Sequence, residues 1–180
     1  MIIVEEIQHL VEILQPVRQA ELQILKNQMF QNAELLHTLN TPIRSLPDYQ
    51  FLTDDPIFSN ATLFQIIEGT SRLPNFECYF MKTSRGIYVG FIAVLVEVED
   101  RERVVQDVKI FSFGLSAKED ENMIRKDVPF FLDNCLKRFP KVSWTALKAN
   151  KANIAYDIYC KRHKGTREDK GKYWRYTCYK

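Results

Sequence analysis

The chain has 180 residues, 46% of them apolar and 27% charged, with Gly 6 and Pro 7. That usage suits one ordinary domain that buries its own core, and it excludes collagen-like and extensively disordered chains. The formal net charge is +2, no apolar run approaches the ~20 residues that cross a bilayer, and the start, Met1-Ile-Ile-Val-Glu-Glu, lacks the basic region and cleavage site of a signal peptide; a cytoplasmic protein with no membrane partner is expected.

Ile3, Ile7, Leu10, Val11 and Leu14 recur at helical spacing, and after Pro16 a second stripe runs through Leu22, Leu25, Met29, Ala33 and Leu36. Both predict amphipathic helices covering one face of a core. Asn40-Thr-Pro and Ser45-Leu-Pro-Asp mark a loop, and Ser59 is placed to cap a short helix through Ile67 that Gly69 ends. Residues 1–70 therefore read as the helical part of a single domain spanning 1–180.

From Phe76 the pattern changes to strands: Phe76 to Lys82, Ile87 to Val98 and Val104 to Leu115, joined by Thr83-Ser-Arg-Gly86 and Asp100-Arg-Glu-Arg103. In the middle strand both alternating sets are apolar, Ile87, Val89, Phe91, Ala93 and Leu95 against Ile92, Val94, Val96 and Val98, so helices must cover both faces until Glu97. A helix is expected from about Asp127, with Pro129 in its first turn and Phe131, Leu132, Cys135, Leu136 and Phe139 sharing a face. A strand from Lys141 to Lys148, a helix from Ala152 to Arg162, a loop from Gly165 to Gly171 and a strand from Lys172 to Tyr179 complete the chain. The fold class is α/β in the α+β sense, with a mixed, mainly antiparallel sheet between helices.

Cys78, Cys135, Cys160 and Cys178 lie far apart without a C-x-x-C pair, and His9, His37 and His163 are the only histidines, so buried free thiols are expected in place of a metal site or a disulfide framework. From Lys137 to Lys180 there are 13 Lys or Arg against Asp157, Glu168 and Asp169. This basic stretch, in which Tyr173, Trp174, Tyr176 and Tyr179 interleave with Lys172, Arg175 and Lys180, suits either a solvated face with a packed aromatic strand or a nucleic-acid or protein partner.

Residues 76–180 resemble the GCN5-related N-acetyltransferases (GNAT). The resemblance rests on element order, on the hairpin Tyr79-Phe-Met-Lys-Thr-Ser-Arg-Gly-Ile-Tyr-Val-Gly-Phe-Ile, and on Lys141-Val-Ser-Trp-Thr-Ala-Leu-Lys followed by Asn150-Lys-Ala-Asn-Ile-Ala-Tyr-Asp-Ile-Tyr. It implies transfer of an acyl group from acetyl coenzyme A to an amine, or a GNAT-fold binding module that has lost transfer. The backbone around Phe111, Phe113 and Leu115 would hold the pantetheine arm, and Arg125 and Lys126, with Asn150, would stand near the cofactor. The loop Arg125-Lys-Asp-Val-Pro-Phe130 departs from the family's glycine-rich phosphate cradle, since Val128 and Phe130 replace small residues and Pro129 has no N–H. Tyr159 would be the general acid and Glu97 the general base, with Glu77 and Asp107 as further carboxylates on the meander.

Overall fold

The computed structural model describes residues 19–46, 60–82, 86–113, 128–149 and 152–180. Asn32 decides how the first of these segments folds. Its side-chain oxygen accepts hydrogen bonds from the N–H groups of Glu34 (3.0 Å) and Leu35 (3.2 Å), a helix N-cap that divides the segment into α1 (Gln19–Gln31) and α2 (Ala33–Asn40). Helix α1 buries Leu22, Leu25 and Met29 as its spacing predicts. The new start rotates the stripe, so α2 buries Leu35 and Leu39 while Ala33 is exposed and Leu36 is partly covered. The expected stripe from Ile3 to Leu14 lies outside the described residues, as does the Ser59 cap. The cap found is Thr62, in a reciprocal capping box with Gln65, and α3 (Leu63–Ser71) runs past Gly69 where an end was expected.

Six strands form one sheet: β1 (Phe76–Lys82), β2 (Tyr88–Glu99), β3 (Glu102–Ser112), β4 (Lys141–Leu147), β5 (Thr166–Lys170) and β6 (Tyr173–Tyr179). Their spatial order is β1-β2-β3-β4-β6-β5, and every neighbouring pair is antiparallel except β3 and β4. Asp100 and Arg101 both take left-handed backbone angles (φ 52° and 68°), which the two-residue turn between β2 and β3 requires.

Strand β2 is apolar on both sides because helices cover both faces of the sheet. Helices α1, α2 and α3 cover Phe80, Tyr88, Phe91, Phe111 and Phe113, while α4 (Val128–Arg138) and α5 (Asn153–Arg162) pack over Tyr79, Val94, Val105, Trp144 and Tyr176. The simple alternation expected along β2 is broken at its start. Pairing steps from Met81↔Gly90 to Lys82↔Tyr88, and the extra residue, Val89, joins the α4 and α5 side while Tyr88 and Phe91 face the other. A Cβ at Gly90 would meet the end of the Met81 side chain and lie 3.0 Å from the Phe111 carbonyl oxygen, so a larger residue there makes its neighbours shift.

Within α4 Phe131, Leu132, Cys135 and Leu136 share the buried face read from the sequence, and residue 127, where its start was expected, lies outside the described residues. Residues 166–170, expected as a loop, are instead the edge strand β5. All five of its side chains are exposed, so no burial pattern announces it; hydrogen bonds to β6 and the left-handed Gly171 (φ 79°) in the following turn make it a strand.

Two substitutions test this packing. Asn32→Ala is expected to lower unfolding free energy by about 1 kcal/mol through the lost cap. Phe91→Ala, at a fully buried position in the core between the sheet and the N-terminal helices, is expected to cost about 3–5 kcal/mol. Urea denaturation of both variants measures the two values.

Candidate functional site

Parallel strands normally bond along their length, yet β3 and β4 share one ladder pair among the described residues, Val105↔Val142. One residue further on, β3 carries a bulge: Leu95 pairs with Asp107 and Val96 with Val105, leaving Gln106 as the extra residue. Beyond it the strands separate. The wedge between them encloses a cavity of about 300 Å³ lined by residues 107–110 of β3 and 145–147 of β4, with Tyr156 of α5 and Lys170 and Tyr173 of the β5–β6 hairpin. Val108 and Ala146 belong to the core under α4 and α5, and Ile110 and Tyr156 pack against it, so one wall is apolar.

Asp107 supplies the acidic group of this wedge. Its Oδ1 is buried and makes no hydrogen bond among the described residues, and its Oδ2 lies 4.0 Å from the Lys109 ammonium. Burial pushes its carboxyl pKa up, against the opposing pull of Lys109, of backbone hydrogen bonds at Thr145 and Val108, and of Arg175. Tyr156 supplies a phenol, and burial pushes its pKa up to about 12, so it holds its proton at neutral pH. Its ring meets Trp144 (5.6 Å) and Tyr176 (5.5 Å) edge-on, which fixes its orientation.

The residues expected at the site from sequence are placed as follows. Tyr159 sits one helical turn after Tyr156 but does not line the wedge; its hydroxyl donates to Asp133 Oδ1 at 2.7 Å and its ring stacks on His163 at 4.2 Å. Glu97 is exposed on β2 opposite Val104, outside the wedge. Phe111 and Phe113 are buried against the N-terminal helices, and the opening starts at Asp107, nearer the beginning of β3 than the stretch from Phe111 onward. Leu115, Arg125, Lys126 and Asn150 lie outside the described residues. Of the three meander carboxylates named from the sequence, Glu77 is bound by Arg138 (2.9 Å) and by the Tyr79 hydroxyl (2.7 Å), Glu97 is exposed, and Asp107 lines the wedge. Tyr156 was not singled out by sequence, although a tyrosine at i−3 from Tyr159 on a helix was a usable signal.

Asn153 secures this end of the sheet. Its Nδ2 donates to the carbonyls of Leu147 (2.8 Å) and Lys148 (3.1 Å), and its Oδ1 accepts from the Tyr176 hydroxyl (3.3 Å), tying the start of α5 to the end of β4. In the basic C-terminal stretch, Tyr176 is buried, and Arg167 (3.9 Å) and Lys148 (4.5 Å) lie over the Trp174 ring. Lys148 pairs with Asp169, Arg167 with Asp157 and Lys170 with Glu168. The four cysteines are buried free thiols, and no cluster of three or more metal-ligating side chains occurs among the described residues. No described helix is long and apolar enough to cross a membrane.

No family model and no curated protein matches the sequence. Solved structures do match. A chimaera of the Vibrio cholerae spermidine N-acetyltransferase SpeG and hSSAT aligns over 92% of this chain and 93% of its own, at TM-score 0.54 and 11% identity. RimJ of Mycobacterium smegmatis, solved in complex with CoA-disulfide, aligns over 92% of this chain and 80% of its own, at TM-score 0.51 and 12% identity. The chain has the GNAT fold. Identities this low establish the GNAT fold alone, so the chemistry of the wedge rests on its own residues.

Asp107 gives a stability test. Because folding raises its pKa, the folded state holds that proton more tightly than the unfolded chain, and stability is lost as pH rises from the ordinary carboxyl range through the raised value. Asp107→Asn is therefore expected to melt at a higher temperature than the parent at about pH 7, with the gap closing as pH falls below about 4. Thermal unfolding across that range measures it.

Proposed function

We propose that the protein transfers an acyl group from a coenzyme A thioester to an amine. The observation that carries this reading is the wedge, where β3 and β4 share no ladder pair beyond Val105↔Val142 among the described residues and a buried carboxylate oxygen of Asp107 makes no hydrogen bond. Past Val105 and Val142 the facing peptide groups of β3 and β4 are not paired with each other, so an extended arm bearing amides can bond to them as an added strand would. The cavity is at the lower end of the ~300–1,000 Å³ typical of small-molecule sites, and its mixed lining suits a thin, partly apolar arm.

A thioester supplies an acyl carbonyl already reactive toward an amine, so this chain has to position, to exclude water and to move protons. Asp107 accepts the proton released by the attacking nitrogen at its free Oδ1, and its raised pKa brings its basicity closer to neutral pH. Tyr156, protonated at neutral pH, donates to the departing sulfur. No covalent enzyme intermediate is needed. The GNAT fold of both structural neighbours, and the coenzyme A derivative bound in RimJ, agree with this assignment.

Titration calorimetry with acetyl coenzyme A and with coenzyme A tests the reading. The parent is expected to bind both in the micromolar range, and Thr145→Trp, which fills the wedge, to bind at least about tenfold more weakly, equivalent to ~1.4 kcal/mol. With an acceptor found by screening amines, Asp107→Asn is expected to lower kcat/KM by about 10²–10⁴-fold. Absence of binding at millimolar ligand overturns the transferase reading in favour of a GNAT-fold binding module.

A further inference from the structure

The vertex of the wedge is held by polar side chains that cross four strands. Arg175 of β6 reaches over β4 and donates from one guanidinium nitrogen, Nη2, to both the main-chain oxygen (3.2 Å) and the side-chain Oε1 (3.1 Å) of Gln106, the extra residue of the β3 bulge. Gln106 Nε2 donates in turn to Glu99 Oε2 of β2 at 2.7 Å, and Lys141 Nζ of β4 donates to Glu99 Oε1 at 2.9 Å. Strands β2, β3, β4 and β6 are thus tied together near the Val105↔Val142 pair, two residues before Asp107. Lys141, followed by Gln106, holds the Glu99 carboxyl below the usual carboxylate range.

We infer that Arg175 is the positioning residue of the wedge: by gripping Gln106 it fixes the bulge, sets the point at which β3 leaves β4, and turns the Asp107 carboxylate into the opening. The catalytic meaning of this role rests on the proposed transferase reading; the mechanical role does not. A bulge adds an unpaired residue to a strand and is free to migrate unless its loose groups are bound. Arg175 binds both the backbone and the side chain of that residue through its terminal Nη2, and a lysine, whose shorter side chain ends nearer its own backbone, does not reach both acceptors at once. Asp107 faces Lys109 from its own strand and Arg175 from β6, with Lys170, Tyr156 and Tyr173 also lining the cavity.

The test uses ligand-free protein carrying carbon-13 label in its aspartate carboxylates, with Asp107→Asn to assign the signal. In Arg175→Met the Asp107 midpoint is expected to move to higher pH, because a cation is lost, and amide exchange at residues 106–108 to quicken by at least about tenfold. Arg175→Lys is expected to keep the midpoint near that of the parent but to show the faster exchange, since the charge survives and the paired grip does not. Parent-like exchange at residues 106–108 in Arg175→Lys overturns the proposal, and that variant decides alone if Arg175→Met fails to fold. Coenzyme A affinity is expected to fall at least about tenfold in Arg175→Lys. If the parent binds no coenzyme A, the transferase reading falls, while exchange and titration still decide the role of Arg175.

Discussion

Two parallel strands that meet at a single ladder pair and then part create a problem that the remainder of this molecule solves. Peptide groups on the facing edges of β3 and β4 lose the partners that a continuous sheet would give them, and unpaired backbone groups away from water are costly. The gap persists because each strand is fully bonded on its other side, β3 along most of its length to β2 and β4 along its whole length to β6. The core then holds the two halves in place: Val105, Val108, Val142, Trp144 and Ala146 pack into one cluster with α4 and α5, so the apolar layer is continuous beneath the opening.

Asp107 shows what that arrangement makes possible. A carboxylate with a buried, unbonded oxygen destabilises the fold at neutral pH, and such a group survives where the surroundings over-determine it. Here the surroundings are the bulge at Gln106, the contacts of Arg175 and Lys109, and an apolar wall on the far side. Tyr156 stands on that wall with its ring edge-on to the stacked Trp144 and Tyr176, so a phenol and a carboxyl group line one cavity. Tyr159, by contrast, is bound to Asp133 and helps join α5 to α4.

Much of the fold was legible in the sequence because burial is periodic. The bounds of β1 and the buried face of α4 follow directly from strand alternation and from helical spacing. Where burial gives no signal, sequence gave none: β5 consists of Thr166, Arg167, Glu168, Asp169 and Lys170, all exposed, and only pairing with β6 makes it a strand. The bulges at Val89 and Gln106 are equally silent, since a single inserted residue leaves composition unchanged while exchanging the faces beyond it. Of the carboxylates that the resemblance offered, Glu97 first and Glu77 and Asp107 after it, Asp107 lines the opening, next to a bulge that composition does not announce.

A crystal structure with coenzyme A tests the central claim most directly. The account predicts electron density for the pantetheine arm running between residues 107–110 of β3 and 145–147 of β4, its amides bonded to the facing strand edges and its sulfur end toward Asp107 and Tyr156. Density elsewhere on the molecule, with this wedge collapsed or filled by solvent, would contradict it.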